Sequence, residues 1–397
     1  MSSKKKKQNR AQIEFSKSKS PKRMVGSLVF LTLAAIAFMG LLYFANHDRP
    51  RYQSSDTSGT EYEVALVNRV LADNTMVDET TEGIWRGSMD LEVKILSGRY
   101  KGEYATTTNY FSSLYNVRVG EGDKVSVRID TSDDGTYQVS IYNYYRVPQM
   151  IGCVVAFVLL LILVGGKKGA KSVLGLAFTM VCILFILLPL ALKGYSTLLV
   201  TILIILVCNF LCFYLIDGIS GKTVVASIGS LGGVISGAIF AQIANSLMHV
   251  TTYQMEEAET LLLITSTTEL HLKDLFLCGI LIACMGAVMD VAMSITSAIA
   301  ELHEVNPGLA SKDLFLSGMN IGKDAMGTMS NTLILAFAGN SFNMLLMIYS
   351  YGVTFQQLMN TDFVAIEVIR SIAGSMGIVC TVPLVAMIAA KYYGKKK

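Results

Sequence analysis

Charge is what this 397-residue chain has least of: Asp, Glu, Lys and Arg make up 16% of it, against about 25% in soluble domains. Proline is also scarce, at 6 residues against 33 glycines, while 52% of the chain is hydrophobic. The two shortages exclude an ordinary cytosolic enzyme and a disordered chain alike. Cysteine is missing from one stretch altogether. All seven (Cys153, Cys182, Cys208, Cys212, Cys278, Cys284 and Cys380) fall in apolar runs and residues 46–147 hold none, so there is no disulfide framework. Cys208 and Cys212 stand one helical turn apart and can in principle hold a metal, but with no His or carboxylate near them they read as small hydrophobes. The four histidines (His47, His249, His271 and His303) are scattered and form no zinc-ligand spacing. No Walker motif is present, so ATP does not drive the protein directly. No Ser-His-Asp arrangement or pair of intramembrane aspartates can be assembled either, which argues against an enzyme.

What the chain has instead is apolar length. Runs such as Met24–Phe44, Val173–Leu192, Leu198–Ile216 and Leu275–Ile299 each suffice to cross about 30 Å of hydrocarbon, which takes roughly 20 helical residues. The expected fold class is an α-helical polytopic membrane protein of about eight transmembrane helices, at 24–44, 149–164, 173–192, 198–216, 224–248, 275–299, 328–348 and 371–390. The first is read as a retained anchor, since no small-residue cleavage site follows it. An alternating path puts nineteen Lys and Arg on one side, nine of them in the tail 1–23, and only Lys193, Lys273 and Arg370 in the short loops opposite. That asymmetry predicts cytoplasmic termini. The basic tail reads as an orientation signal drawn to anionic lipid, not as a nucleic-acid surface, because no folded basic face accompanies it.

Residues 46–147 then form an extracytoplasmic domain with 11 basic and 16 acidic residues. Glu63–Val70, Met89–Leu96, Val125–Ile129 and Tyr137–Tyr142 alternate apolar and polar side chains, and Asp133-Asp134-Gly135 marks a hairpin. About 100 residues of short strands predict a small β-barrel-like domain. Tyr142, Tyr144 and Tyr145 suit a headgroup anchor. The expected organisation is a tail 1–23, an anchor 24–45, the β-rich domain 46–147 and a seven-helix region 148–397.

Ionisable groups inside the membrane are the best functional clues, because each is costly to keep there. Asp290 lies near the middle of the sixth span, and at helical spacing Ala283, Gly286, Ala287, Ser294 and Ser297 share its face. The functional reading is a cation or proton site with Ser294 and Ser297 as supporting oxygens; the alternative is a structural carboxylate satisfied by neighbouring helices. The seventh span adds Asn331, Asn340 and Asn343; a break near Gly339 would let its amides share a cavity, and the alternative is that each amide bonds a neighbouring helix separately. Lys323 and Asp324 precede this span as a candidate gate, or as ordinary capping with Asp324 near a helix N-terminus, and Ser311–Asn320 is expected along the membrane surface. Glu367 and Arg370 are spaced for an ion pair at the start of the eighth span. Gly229, Gly233 and Gly237 form a close-packing ladder in the fifth. The loop 249–272, with Glu256, Glu257, Glu259, Glu269 and His271, reads as a solvated acidic loop.

Three runs carry a family resemblance: Gly286-Ala-Val-Met-Asp-Val-Ala-Met-Ser-Ile295, Gly322-Lys-Asp-Ala-Met-Gly-Thr-Met-Ser-Asn-Thr-Leu-Ile-Leu335 and Gly374-Ser-Met-Gly-Ile-Val-Cys-Thr-Val-Pro383. In that order they resemble the YibE/F-like family of bacterial multispan membrane proteins, over about 145–397. The β-rich region is similar more loosely, through Leu96-Ser-Gly-Arg-Tyr-Lys-Gly102 and Val119-Gly-Glu-Gly-Asp-Lys-Val125. Where the family has Arg-Asp, this chain has Lys323-Asp324, which keeps the charge and loses bidentate capacity. The resemblance implies permease-like machinery in the bacterial cytoplasmic membrane and no particular substrate or cofactor. The expected function is secondary transport of an ion or small solute through Asp290. The alternative is a membrane scaffold or sensor whose β domain binds a ligand or partner. The expected partners are the lipid bilayer, a transported ion or solute, and a second copy or another membrane protein.

Overall fold

The computed structural model describes residues 36–48, 50, 59–132, 134–250, 258–266 and 268–394. The basic tail 1–23, the first part of the expected anchor, Asp133, Glu256, Glu257 and Lys395 to Lys397 lie outside these residues. The chain divides into two compact units, 53–169 and 1–52 with 170–397.

In the first unit, six strands form one antiparallel sheet: β1 (Thr60–Asp73), β2 (Met76–Val77), β3 (Trp85–Ile95), β4 (Tyr104–Phe111), β5 (Lys124–Thr131) and β6 (Tyr137–Tyr144). Their order is β2-β3-β1-β5-β6, with β4 also paired to β3. Alternation sets the buried face: Ala65, Val67, Leu91, Val93, Ile95, Val125, Val127 and Ile129 are all fully buried. Two register shifts in β1, at Val67/Arg69 and Val70/Ala72, are places where extra residues bend a strand. The result is an open half-barrel; no ladder joins β4 to β6 among the described residues. Tyr100 stacks on Tyr137 at 4.1 Å, and Tyr137 Oη donates to Glu103 at 2.6 Å.

Strand β4 was not legible in the sequence. Its inward positions include Thr107 and Asn109, both buried, so the period-two pattern lacks its usual apolar signal. Asn109 is satisfied by donating to Val117 O at 2.8 Å. The β5–β6 hairpin closes through Ser132 N to Thr136 O at 2.8 Å, with Gly135 at φ 83. At another turn the Asp78 carboxylate accepts from Thr80 N, Thr80 Oγ1 and Arg86 Nε. These bonds, that from the Thr80 hydroxyl first, hold its carboxyl far below the usual carboxylate range.

The helices are α1 (Ile36–Asn46), α2 (Val147–Leu192, with a π-turn at Ile183–Leu187), α3 (Thr197–Asp217), α4 (Gly221–Met248), α5 (Ala258–Thr265), α6 (Leu275–Val305), α7 (Ser311–Asn340), α8 (Phe342–Ser350), α9 (Phe355–Met359) and α10 (Asp362–Tyr393). Five of the described helices (α2, α3, α4, α6 and α10) are long and apolar enough to cross a membrane, or six when α7 and α8 count as one bent span. This is fewer than the eight expected, for identifiable reasons. The second and third expected spans are one 46-residue helix, interrupted at Gly166, whose φ of 56 and ψ of −135 are not helical. Most of the first lies outside the described residues.

Within the second unit, glycines set helix separation. A methyl at Gly229 would overlap Val385, one at Gly233 would overlap Thr381 Oγ1, and one at Gly237 would sit 3.0 Å from Ala373 O. The ladder is thus the contact surface of α4 on α10, where small residues let backbones approach. Helix ends gather in two sets. At one, Asn46 donates to Phe185 O at 2.8 Å and Lys193 donates to Phe44 O at 2.6 Å. At the other, Lys171 donates to Ile216 O at 3.1 Å, and Gly221 packs on Tyr392. Lys193, a cation in a loop expected to be poor in them, caps the C-terminal carbonyls of α1.

Candidate functional site

The site is built on α6 and α7. Helix α6 buries Cys284, Val288, Val291, Ile295 and Ile299 on one side. Opposite them Gly279, Ala283, Gly286, Asp290, Ser294 and Glu301 are exposed, with Ala287 and Ser297 half-buried. The spacing explains the division: branched side chains recur on one face at three and four residues, and small or polar ones on the other. Gly279 and Gly286 have nothing within 4 Å of where a side chain would begin, so the face is open at these positions, while Ala287 at its edge packs against the core. Asp290 therefore projects from an open face of small residues. Its carboxylate makes no hydrogen bond or ion pair with any described residue.

Helix α7 departs from the sequence expectation in two ways and meets it in a third. First, Ser311–Asn320 does not lie apart along a surface but is the beginning of a single 30-residue helix. Leu314 is fully buried, and a methyl at Gly318 would meet Ile299 at 2.6 Å and Ala386 at 3.1 Å. Leucine and glycine at four-residue spacing seat this stretch against α6 and α10. Second, Asp324 is deep inside the helix instead of at its start. Gly322 beside it packs on Val382 and Ile295, so Lys323 and Asp324 stand at the level of the apolar core, both exposed. Third, the interruption falls at Ser341, just beyond Gly339, where α7 and α8 meet at 59°. Asn331 is exposed on α7, Asn340 ends it, and Asn343 begins α8.

None of the side chains of Ser294, Ser297, Lys323, Asp324, Asn331, Asn340 or Asn343 makes a hydrogen bond or ion pair among the described residues. The structure does not bring them into one bonded cluster; it leaves them open on adjoining helices. Glu367 and Arg370 behave differently, joined at 2.6 Å with side chains 16% and 23% exposed. Glu367 Oε2 is buried without a partner. The pair lies in the second turn of α10, past its first residue Asp362.

One feature of α7 escaped the sequence reading. Asp313, Ser317, Asn320, Asp324, Gly327 and Asn331 alternate at intervals of four and three, and all but half-buried Ser317 are exposed. They form one polar face, opposite the face of Leu314, Gly318, Gly322, Met329 and Leu333 that packs inward. The spacing is present in the sequence, but apolar residues are densest at 328–348, which leaves 311–327 outside the expected span.

Long apolar helices joined to a half-barrel domain define a multi-pass membrane protein. Its family is shown directly: the YibE/F-like protein family matches residues 153–395, and the YibE/F family N-terminal domain matches 60–144. The chain belongs to the YibE/F-like family. No curated protein and no solved structure matches it.

Proposed function

We propose that the protein is a secondary transporter or permease for an ion or small solute, working through Asp290. The supporting observation is that this carboxylate lies mid-helix, exposed and without a hydrogen-bond or ion-pair partner among the described residues, on a face of glycine, alanine and serine. An aspartate at the centre of a membrane helix costs about 2.5–3.5 kcal/mol. No bond within the described chain offsets that cost. A proton or cation taken up by the carboxylate would remove the charge and the cost together, so loading and unloading would change the stability of this face. That is the property a coupling group needs. The polar face of α7 carries further amides and hydroxyls, which in this reading would line a water-filled path.

In this reading the chain crosses the bacterial cytoplasmic membrane eight times. The 46 residues of α2 would reach roughly 69 Å at 1.5 Å per residue, about twice the hydrocarbon thickness. Gly166, beside Lys167 and Lys168, would divide them into two crossings. The Lys and Arg asymmetry supports cytoplasmic termini, with residues 46–147 outside.

The test is flux in proteoliposomes across a panel of cations and small solutes. Asp290→Asn is expected to insert and fold normally and to lose transport by at least about 100-fold. Normal transport by that variant would overturn the role of Asp290. A sensor or scaffold is the second reading, favoured by exposed Tyr110, Leu114 and Tyr115 on the β domain. It predicts the opposite pattern: Asp290→Asn tolerated, and deletion of 46–147 fatal.

A further inference from the structure

A groove of about 500 Å³ runs between α3, α4 and α6. Its walls are branched aliphatic side chains, among them Ile202, Ile205, Ile235, Ile239, Leu277 and Leu281, and its polar members are Gln242 and Asp274. They are not mixed along its length. On α4, Gln242 is near the end of a lining that starts at Leu231; on α6, Asp274 stands just before the helix while Leu277 and Leu281 lie farther in. The lining from Leu231 to Ile243 extends roughly 18 Å at 1.5 Å per residue, about the depth of one leaflet of a 30 Å core. Asp274 is at the N-cap position of α6, where a carboxylate ordinarily accepts a backbone hydrogen bond, yet it makes no capping bond. It has no hydrogen-bond or ion-pair partner among the described residues. The groove thus combines an acyl-length apolar slot with one carboxylate, unbonded among the described residues, at the end where α6 begins.

We propose that this groove binds a single-chain aliphatic amphiphile with an amine head group, entering from the bilayer with its tail along α3 and α4 and its ammonium at Asp274. Chemistry selects the class. A branched aliphatic slot takes a hydrocarbon chain by burial alone and cannot discriminate among heads. Discrimination comes from Asp274, which attracts an ammonium and repels a carboxylate or phosphate in the same place. Gln242 adds a carbonyl that accepts from the same head. An ordinary phospholipid, whose phosphate sits next to the glycerol, would set negative charge against Asp274 and is disfavoured. The proposal does not rest on the permease reading, because it needs only that these helices meet lipid.

The experiment uses the full chain in phosphatidylcholine nanodiscs and a tetradecylamine carrying a photoactivatable diazirine in its tail, with labelled residues mapped by mass spectrometry. Labelling is expected to concentrate on 198–205, 231–243 and 277–281. Unlabelled tetradecylamine should compete at least about tenfold more strongly than tetradecanoate. Asp274→Asn should bring the two competitors to within about twofold of each other while leaving competition by tetradecanol intact, which shows that the groove is still formed. Ile235→Trp, which fills the slot, should remove the labelling. Labelling spread evenly over all lipid-facing helices, equal competition by the two head groups, or an amine preference that survives Asp274→Asn would each overturn the proposal.

Discussion

The β domain and the α6–α7 pair treat polar side chains in opposite ways. In the sheet, Glu63 is bonded to Ser97, Asn68 to Glu92, Asp90 to Thr108 at 2.6 Å and Asn116 to Trp85 O at 2.8 Å. Along α6 and α7, Asp290, Lys323, Asp324 and Asn331 have no such partners among the described residues. Elsewhere in the helical unit the pattern is mixed: Asn209 Nδ2 donates to Ser230 at 3.1 Å and Thr381 donates to Gly377 O at 2.7 Å, while Asn209 Oδ1, Thr197 Oγ1 and Glu367 Oε2 are buried without a partner among the described residues. The lesson is that unpaired groups are informative where the surrounding solvent is lipid. An exposed Asn on a soluble sheet has water, whereas one at membrane depth has nothing unless water or a polar ligand reaches it.

Variants can break this contrast, beginning with the strongest. Arg370→Gln removes the partner of Glu367 and leaves a partly buried carboxylate uncompensated, at a cost of about 3 kcal/mol. Adding Glu367→Gln should recover most of the loss, which thermal unfolding of the two variants would read; an additive double variant would mean that the pair is not a unit. Next, Gly233→Ala forces α4 from α10 and should destabilise by about 1–3 kcal/mol. Gly286→Ala, on the open face, should change stability by less than about 0.5 kcal/mol. Similar losses from both would mean that the α6 face is packed after all.

The smallest effect lies in the β domain. The Asp78 carboxyl is held below its ordinary range by Thr80 and Arg86, so it stabilises the folded domain above the unfolded pKa of about 4. That contribution is lost as pH falls through the lowered folded value. Asp78→Asn should flatten the acid side of the stability curve, measured by tyrosine and tryptophan fluorescence of the full chain. An unchanged acid limb would remove Asp78 from the account.

Much of this molecule was legible from its residues, and the failures share a cause. Strands β1, β3, β5 and β6 alternate cleanly and were expected, because their inward side chains are Val, Ile and Leu. Strand β4 was missed because threonine and asparagine fill its inward positions. The face around Asp290 was readable because small and branched residues segregate by helical spacing. The course of α7 was not, because hydropathy places a span where apolar residues are densest, at 328–348. The helix instead packs through Leu314, Gly318 and Gly322, and glycine contributes contact without hydrophobicity. Nor could any spacing rule tell that Asp274 leaves its helix uncapped.

The account depends on water reaching the open face of α6, and one labelling measurement asks that directly. Asp290→Cys, in a chain whose exposed Cys153 is replaced by serine, would be treated in proteoliposomes with a charged methanethiosulfonate. The matched control is Ile228→Cys, an exposed apolar position on α4. The prediction is that Asp290→Cys reacts at least about tenfold faster than the control, since only a hydrated thiol ionises and attacks readily. Equal, slow reaction at both positions would mean that the carboxylate faces lipid, and it would contradict a permease built around it.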